Sequence, residues 1–167
     1  MNLLRTSLLA MVLLLSMASC SKDEEAVVEE ANYTVDLSLA NETDWTVANE
    51  ILLLVNKHRT AIGLAEVAMD RTMASALAVD HTFYMIDQDR ISHDHFQDRR
   101  AALKNNGAKI VAENVAAGYQ TAEGVVNAWL NSPAHRSIIE GPYSHAGFGV
   151  LQDQRGRYYF TQLFYQK

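Results

Sequence analysis

Residues 145–167 read HAGFGVLQDQRGRYYFTQLFYQK, and this stretch decides the fold class. Two runs of alternating character flank Asp153-Gln154-Arg155-Gly156. Turn-forming residues between two such runs predict a β-hairpin. Upstream, AKIVAENVAAG at residues 108–118 is rich in Val, Ile and Ala and ends in glycine, which suits a strand or an extended segment. If it alternates, Glu113 shares a face with Val111 and Val115. A carboxylate among apolar neighbours must be paired, bind a cation or give up its charge.

The rest of the chain reads as helix. Val47, Ile51, Leu54, Val55 and His58 fall on one helical face, with Thr43 or Asp44 as N-cap and Gly63 as the stop. A second stripe, Met73, Ala74, Leu77, Ala78, His81 and Met85, begins behind Asp70 and should end near Asp87 to Arg90. A shorter helix from about Phe96 to Asn105 is closed by Asn106-Gly107. A fourth spans Thr121 to Asn131 with Val125, Val126, Trp129 and Leu130 inward. Helices gathered around a small antiparallel sheet place the chain in the α+β class. There is no internal repeat.

The length of 167 residues, 49% hydrophobic and 20% charged, fits one ordinary globular domain. The first residues, MNLLRTSLLAMVLLLSMASC, carry a single positive charge at Arg5, an apolar run from Leu8 to Leu15, and small residues before Cys20. That run is too short to span a bilayer and reads as a secretory signal peptide over residues 1–19. Met17-Ala18-Ser19-Cys20 resembles the lipobox of bacterial lipoproteins, with Met17 where leucine is usual. The resemblance implies lipidation of Cys20 and a membrane anchor; an ordinary signal peptide with a chance cysteine is the alternative. A lone cysteine can form no internal disulfide.

Residues 20–43 read as an acidic flexible tether, with five acids between Asp23 and Glu30. Ser21-Lys22-Asp23-Glu24-Glu25 also resembles the acidic tags that send some lipoproteins to the outer face of the outer membrane, which would leave the domain at the cell surface. A solvated linker with no address is the other reading. Cleavage before Cys20 removes Arg5 and no acid, leaving 13 basic and 20 acidic residues, a net of −7. Nucleic acid is not expected as a partner, because phosphate binding needs a basic face. The folded domain is expected over residues 44–167.

LNSPAHRSI, residues 130–138, restarts a helix immediately after the fourth one. Ser132 suits the N-cap and Pro133 the first helical position, which puts His135 at the third. There the helix macrodipole disfavours an imidazolium and keeps the ring neutral. A neutral ring can ligate a metal or accept a proton, or it can simply decorate a helix start. His93, in RISHDHF, and Glu113 are the other residues of interest. Only tertiary structure can bring the three together.

Seven motifs occur in order: ILLLVNKHR, LAVDHTFYM, ISH, AENVAAG, VVNAWLNSPAHR, GFGV and YYFTQLF. The series resembles the bacterial branch of the CAP superfamily, named for cysteine-rich secretory proteins, antigen 5 and pathogenesis-related 1 proteins, also called the SCP domain. It covers about residues 47 to 166. The resemblance implies an α-β-α sandwich with a central antiparallel sheet and a cavity lined by two histidines and acidic residues. In several members those histidines hold zinc or another divalent cation. Carried over, the serine-histidine motif matches His93, the glutamate-asparagine motif Glu113, and the S-P-x-H-R motif His135. Many eukaryotic members have a second glutamate where this chain has Ser132, and they carry disulfides that this chain cannot form.

Two histidines, a carboxylate and water would suit zinc with an open position. Without metal, Glu113 could hold a histidine by hydrogen bond and raise its basicity. Asn114 and Arg136 are expected as supports that orient the cavity walls. His81 reads as a satisfied core histidine, His95 and His145 as rim groups, and His58 as packing around the first helix. No G-x-S-x-G or phosphate-binding glycine motif is present. The favoured expectation is an envelope-anchored binding module for an extracellular lipid, glycan or protein. The alternatives are a hydrolase using His93, Glu113 and His135 on peptide or envelope substrates, and a surface scaffold with a vestigial cavity.

Overall fold

The computed structural model describes residues 33–167. The expected signal peptide, Cys20 and the acidic run to Glu30 lie outside the described residues. Five α-helices and four strands follow in the order α1 (Trp45–Ala61), β1 (Ala68–Met69), α2 (Met73–Asp87), α3 (Phe96–Asn105), β2 (Ile110–Ala117), α4 (Ala122–Asn131), α5 (Pro133–Ile139), β3 (His145–Gln152) and β4 (Tyr158–Gln166).

The helix ends follow local chemistry. Asp44 caps α1 by accepting from the backbone N–H groups of Thr46 and Val47, and Gly63 leaves the helix with φ +80°. Thr121 caps α4 through the Gly124 N–H. Gly107, at φ +92°, follows α3 as the sequence predicts.

The hairpin forms as read: β3 and β4 pair antiparallel from His145↔Tyr165 to Gln152↔Tyr158. β2 pairs antiparallel with the far side of β4, and the two-residue β1 adds in parallel beside β3, giving the order β1-β3-β4-β2. Both faces of the sheet are covered. Phe160 and Phe164 of β4, with Phe148 and Val150 of β3, pack against α1, α4 and Ile139 of α5. Leu163 and Tyr165, pointing the other way, pack with α2 and α3. This is the expected α-β-α sandwich.

The folded part begins earlier than residue 44. Residues Leu37–Glu42 form a 3-10 helix with Ala40 buried, and Thr43 is buried against β3. The Thr43 hydroxyl donates to the Phe148 carbonyl at 2.7 Å and accepts from the Val150 N–H at 3.1 Å. Those groups of β3 lie beyond the short β1 and would otherwise be unpaired at a sheet edge. The end of the stretch read as tether is therefore an edge cover, and its polar composition concealed that task.

Candidate functional site

β2 carries the centre of the site. Because successive strand residues point to opposite faces, Glu113 and its neighbour Asn114 reach into different helical layers. Glu113 faces α3 and the loop before it, whereas Asn114 faces α5.

On the first side, the Glu113 side chain is 1% exposed and its carboxylate is hydrogen-bonded through both oxygens. Arg99 of α3 donates to it twice, Nε to Oε2 at 2.8 Å and Nη2 to Oε1 at 2.9 Å. His93 Nδ1 donates to Oε1 at 2.9 Å. The loop that carries His93 is pinned from several directions. His81 Nε2 donates to the Ser92 carbonyl at 2.7 Å, Tyr84 donates to Asp94 at 2.8 Å, and Arg99 Nη1 donates to the Asp94 carbonyl at 2.8 Å. His95 then turns the chain into α3 with φ +59°. With Nδ1 committed to Glu113, the half-exposed His93 ring offers Nε2 to solvent.

On the other side, Asn114 Nδ2 donates to the His135 carbonyl at 3.3 Å and ties the first turn of α5 to the sheet. His135 is the third helical residue, as expected, but Ser132 does not cap the backbone with its hydroxyl. That hydroxyl pairs with His135 Nδ1 at 2.8 Å. The side-chain partner takes the place of the backbone cap. The His135 pKa is lowered first by burial and then by the nearby His93, so the ring is neutral for a different leading cause than the macrodipole. The far end of α5 is held by α1, where Arg59 donates to the carbonyls of Ile139 at 2.6 Å and Gly141 at 2.9 Å, and His58 pairs with Glu140 at 2.8 Å.

Of the three residues singled out in sequence, His93 and Glu113 are hydrogen-bonded, and His135 is tied through its backbone to Asn114, the next residue along the middle of the same strand. Arg136 does not join them: its side chain is exposed and pairs with Glu140 at 3.3 Å. Its one side-chain partner among the described residues lies at the other end of the same helix. His81 is buried and satisfied; His95 is exposed and His145 stacks on Tyr165. Arg99 is the member that sequence reading missed. Its signal was its position, since Arg99, Ala102 and Leu103 lie at i, i+3 and i+4 on the buried stripe of α3. An arginine on an apolar stripe needs a buried acid.

Arg99 also decides whether the site fits a metal. Both Glu113 oxygens are occupied by its guanidinium, so the carboxylate is not free to act as a ligand. Two imidazoles remain, each with one nitrogen uncommitted. Among the described residues no group of three His, Cys, Asp or Glu side chains is disposed to hold a metal ion. The two-histidine, one-carboxylate zinc centre therefore does not fit these residues as they stand.

Over residues 52–164 the chain matches the cysteine-rich secretory protein family, CAP. It is 30% identical over 132 residues to an uncharacterized membrane protein, YlbC, of Bacillus subtilis (strain 168), across 73% of this chain and 35% of that protein. It is 32% identical over 109 residues to the uncharacterized protein YkwD of the same organism, across 62% of this chain and 42% of that one. The chain spans less than half the length of either relative. Among solved structures, an extracellular protein containing an SCP domain from Bacillus anthracis superposes with a TM-score of 0.62 at 27% identity, over 71% of this chain and 40% of that one. An outer surface protein of Borrelia burgdorferi gives 0.66 at 21% identity, over 73% of this chain and 93% of that one. With matching motifs, sheet and helical layers, the chain belongs to the cysteine-rich secretory protein (CAP) family.

Proposed function

We propose that the protein is an exported, lipid-anchored binding module whose cleft, between His93 and His135, captures an extracellular ligand. The observation that carries this reading is the Arg99–Glu113–His93 chain of hydrogen bonds, set against a second, neutral imidazole. A buried ion pair is costly to maintain and contributes little net stability, so its use here is to hold one exposed ring in a fixed tautomer and direction. Two fixed imidazole edges can accept from or donate to a polar group on a ligand. Lipids, glycans and proteins outside the cell are the candidate classes, and anchoring through Cys20 would hold the domain at the envelope, on the outer membrane and facing outward.

Among the described residues no helix is long and apolar enough to cross a membrane. Attachment through the cysteine is consistent with that. The test is capture. Immobilised full-length chain and a His93→Ala, His135→Ala double variant are exposed in parallel to envelope lipids, glycans and secreted proteins. The proposal expects a ligand retained by the first and lost from the second; equal retention by both sinks it.

A second reading rests on the same carboxylate–imidazole contact. His93, oriented by Glu113, has the arrangement of a general base, which would suit hydrolysis of peptide or envelope substrates. Glu113→Gln should then lose turnover while keeping substrate affinity. Failure of the wild type to release product from envelope extracts or peptide libraries, with and without added zinc, removes this reading and leaves the binding one intact.

A further inference from the structure

Beside His135 lies a hollow of about 240 Å³. Its walls are Ile91 from the loop after α2, Ala117 at the end of β2, Tyr119, and Ala128 and Trp129 of α4. Apart from the Tyr119 hydroxyl and the Trp129 indole N–H, its polar side-chain atoms are those of Ser132 and His135, already bonded to one another. No charged side chain lines it, and the nearest buried charges, Glu113 and Arg99, neutralise each other. The lips are apolar and open: Ile91 is 53% exposed and Tyr119 38%. A chain that leaves a large aliphatic and a large aromatic group at the rim of a cavity is leaving apolar surface to be covered.

We infer that this hollow is a subsite for one uncharged, branched or aromatic amino-acid side chain of a peptide or protein, whose backbone meets His135. The inference rests on the binding reading above and names the ligand class for it. Size selects the occupant. Pockets that enclose whole small molecules begin at roughly 300 Å³, so a smaller hollow takes part of a ligand. The small side chains of Ala117 and Ala128 provide the width, and Trp129, bonded through Nε1 to the Val115 carbonyl at 3.2 Å, provides a rigid floor. The Ser132–His135 pair stands at the polar end, where an amide of the ligand backbone finds a hydrogen-bonding partner.

The chain has two tryptophans, which makes the test direct. Trp129 reports on the hollow. Trp45, under the Arg71 guanidinium at 4.3 Å, lies outside it and serves as the internal control. The full-length chain, labelled with nitrogen-15, is titrated with N-acetyl amides of alanine, leucine, phenylalanine and lysine, and separately with octanoate. The Trp129 indole signal should shift saturably with the leucine or phenylalanine amide, at an affinity about tenfold or more above that for alanine. Lysine should behave no better than alanine, and Trp45 should stay still. Ala128→Leu, which fills the hollow from the helix, should weaken the response about tenfold; Ala117→Val repeats the block from the strand. No Trp129 shift at about 10 mM of either apolar amide overturns the subsite. So does undiminished binding in both filled variants. Octanoate binding more tightly than the phenylalanine amide would overturn the side-chain assignment in favour of an acyl group. The cleft reading fails separately: if His93→Ala binds the same amide as well as wild type does, the hollow is a site but the imidazole is not part of it.

Discussion

At the scale of single residues, Arg99 governs the site. Arg99 and Glu113 are each about as buried as side chains can be, at 2% and 1% side-chain exposure. Removing one partner leaves an unpaired charge inside the protein, which costs about 3–5 kcal/mol. Arg99→Met should therefore lower the unfolding free energy by about that amount in urea titrations, and Glu113→Gln, which keeps some hydrogen bonds, by less. The same geometry sets a metal prediction. Since Glu113 is already committed, Glu113→Gln should leave the zinc affinity of the chain unchanged in calorimetric titration, whereas His93→Ala should remove whatever affinity exists. A tenfold loss in the glutamine variant would show that the carboxylate leaves Arg99 for the metal. His81, together with His135, contributes to the pH dependence of stability. Burial first, then Arg99, lower its pKa below the usual 6.5. The unfolded chain takes up a proton near that pH that the folded chain refuses, so stability is greatest above 6.5 and declines as the pH falls below it. Urea midpoints at about pH 7.5 and 5.5 should show this drop, and His81→Gln should reduce it, leaving the part that His135 contributes. The sequence displayed His93, Glu113 and His135 through motifs, but their partners were hidden. Hydrogen bonds between α3, β2 and a loop join residues 14 to 20 positions apart, and no local period records them.

At the scale of elements, the tightest constraint is between α2 and β3. A Cβ at Gly149 would stand 2.3 Å from the Ala78 carbonyl oxygen, and one at Gly147 2.3 Å from the Ala74 carbonyl carbon. Those obstacles are backbone atoms, so no side-chain rotation can relieve them. Gly149→Ala must push α2 off the sheet, breaking the buried Thr82 to Thr161 hydroxyl contact of 2.8 Å on the way. The expected cost is about 2 kcal/mol or more, read as a lower urea midpoint, and Gly147→Ala should behave alike. If either variant matched wild type, the helix would not sit on the strand as closely as described. α2 in turn carries His81 and Tyr84, which pin the His93 loop, so these variants should also weaken whatever the cleft captures. The helices were legible in the sequence because each shows one apolar stripe. The strands were legible mainly through the turn between them, since β4 is buried from Tyr159 to Tyr165 with helices on both faces and its alternation separates two cores rather than core from water. Strand order was not legible at all: β2 precedes the hairpin in the chain yet pairs with the last strand, and only the long-range register reveals it.

At the scale of the whole molecule, the question is how a domain with no membrane-crossing helix among its described residues would stay at an envelope. Its charge does not do it. After the expected cleavage the net charge of −7 makes electrostatic adhesion to anionic lipid unfavourable, which is consistent with the proposed attachment through Cys20. Cys20 is the only cysteine, and the folded body contains none. The thiol is therefore available for a thioether to lipid without competition from a disulfide. A single acyl chain gives only marginal, reversible binding, whereas two or more give stable anchoring. Mass analysis of the mature protein from native membranes should accordingly find Cys20 as the first residue, carrying more than one acyl chain. Cys20→Ala should move the protein from the membrane fraction to the medium or the soluble fraction, with its fold unchanged, because no described contact depends on it. If the wild type were recovered as an unmodified soluble chain, the anchor would be refuted, while the hydrogen bonds that orient His93 and His135, all between residues 81 and 135, would be unaffected.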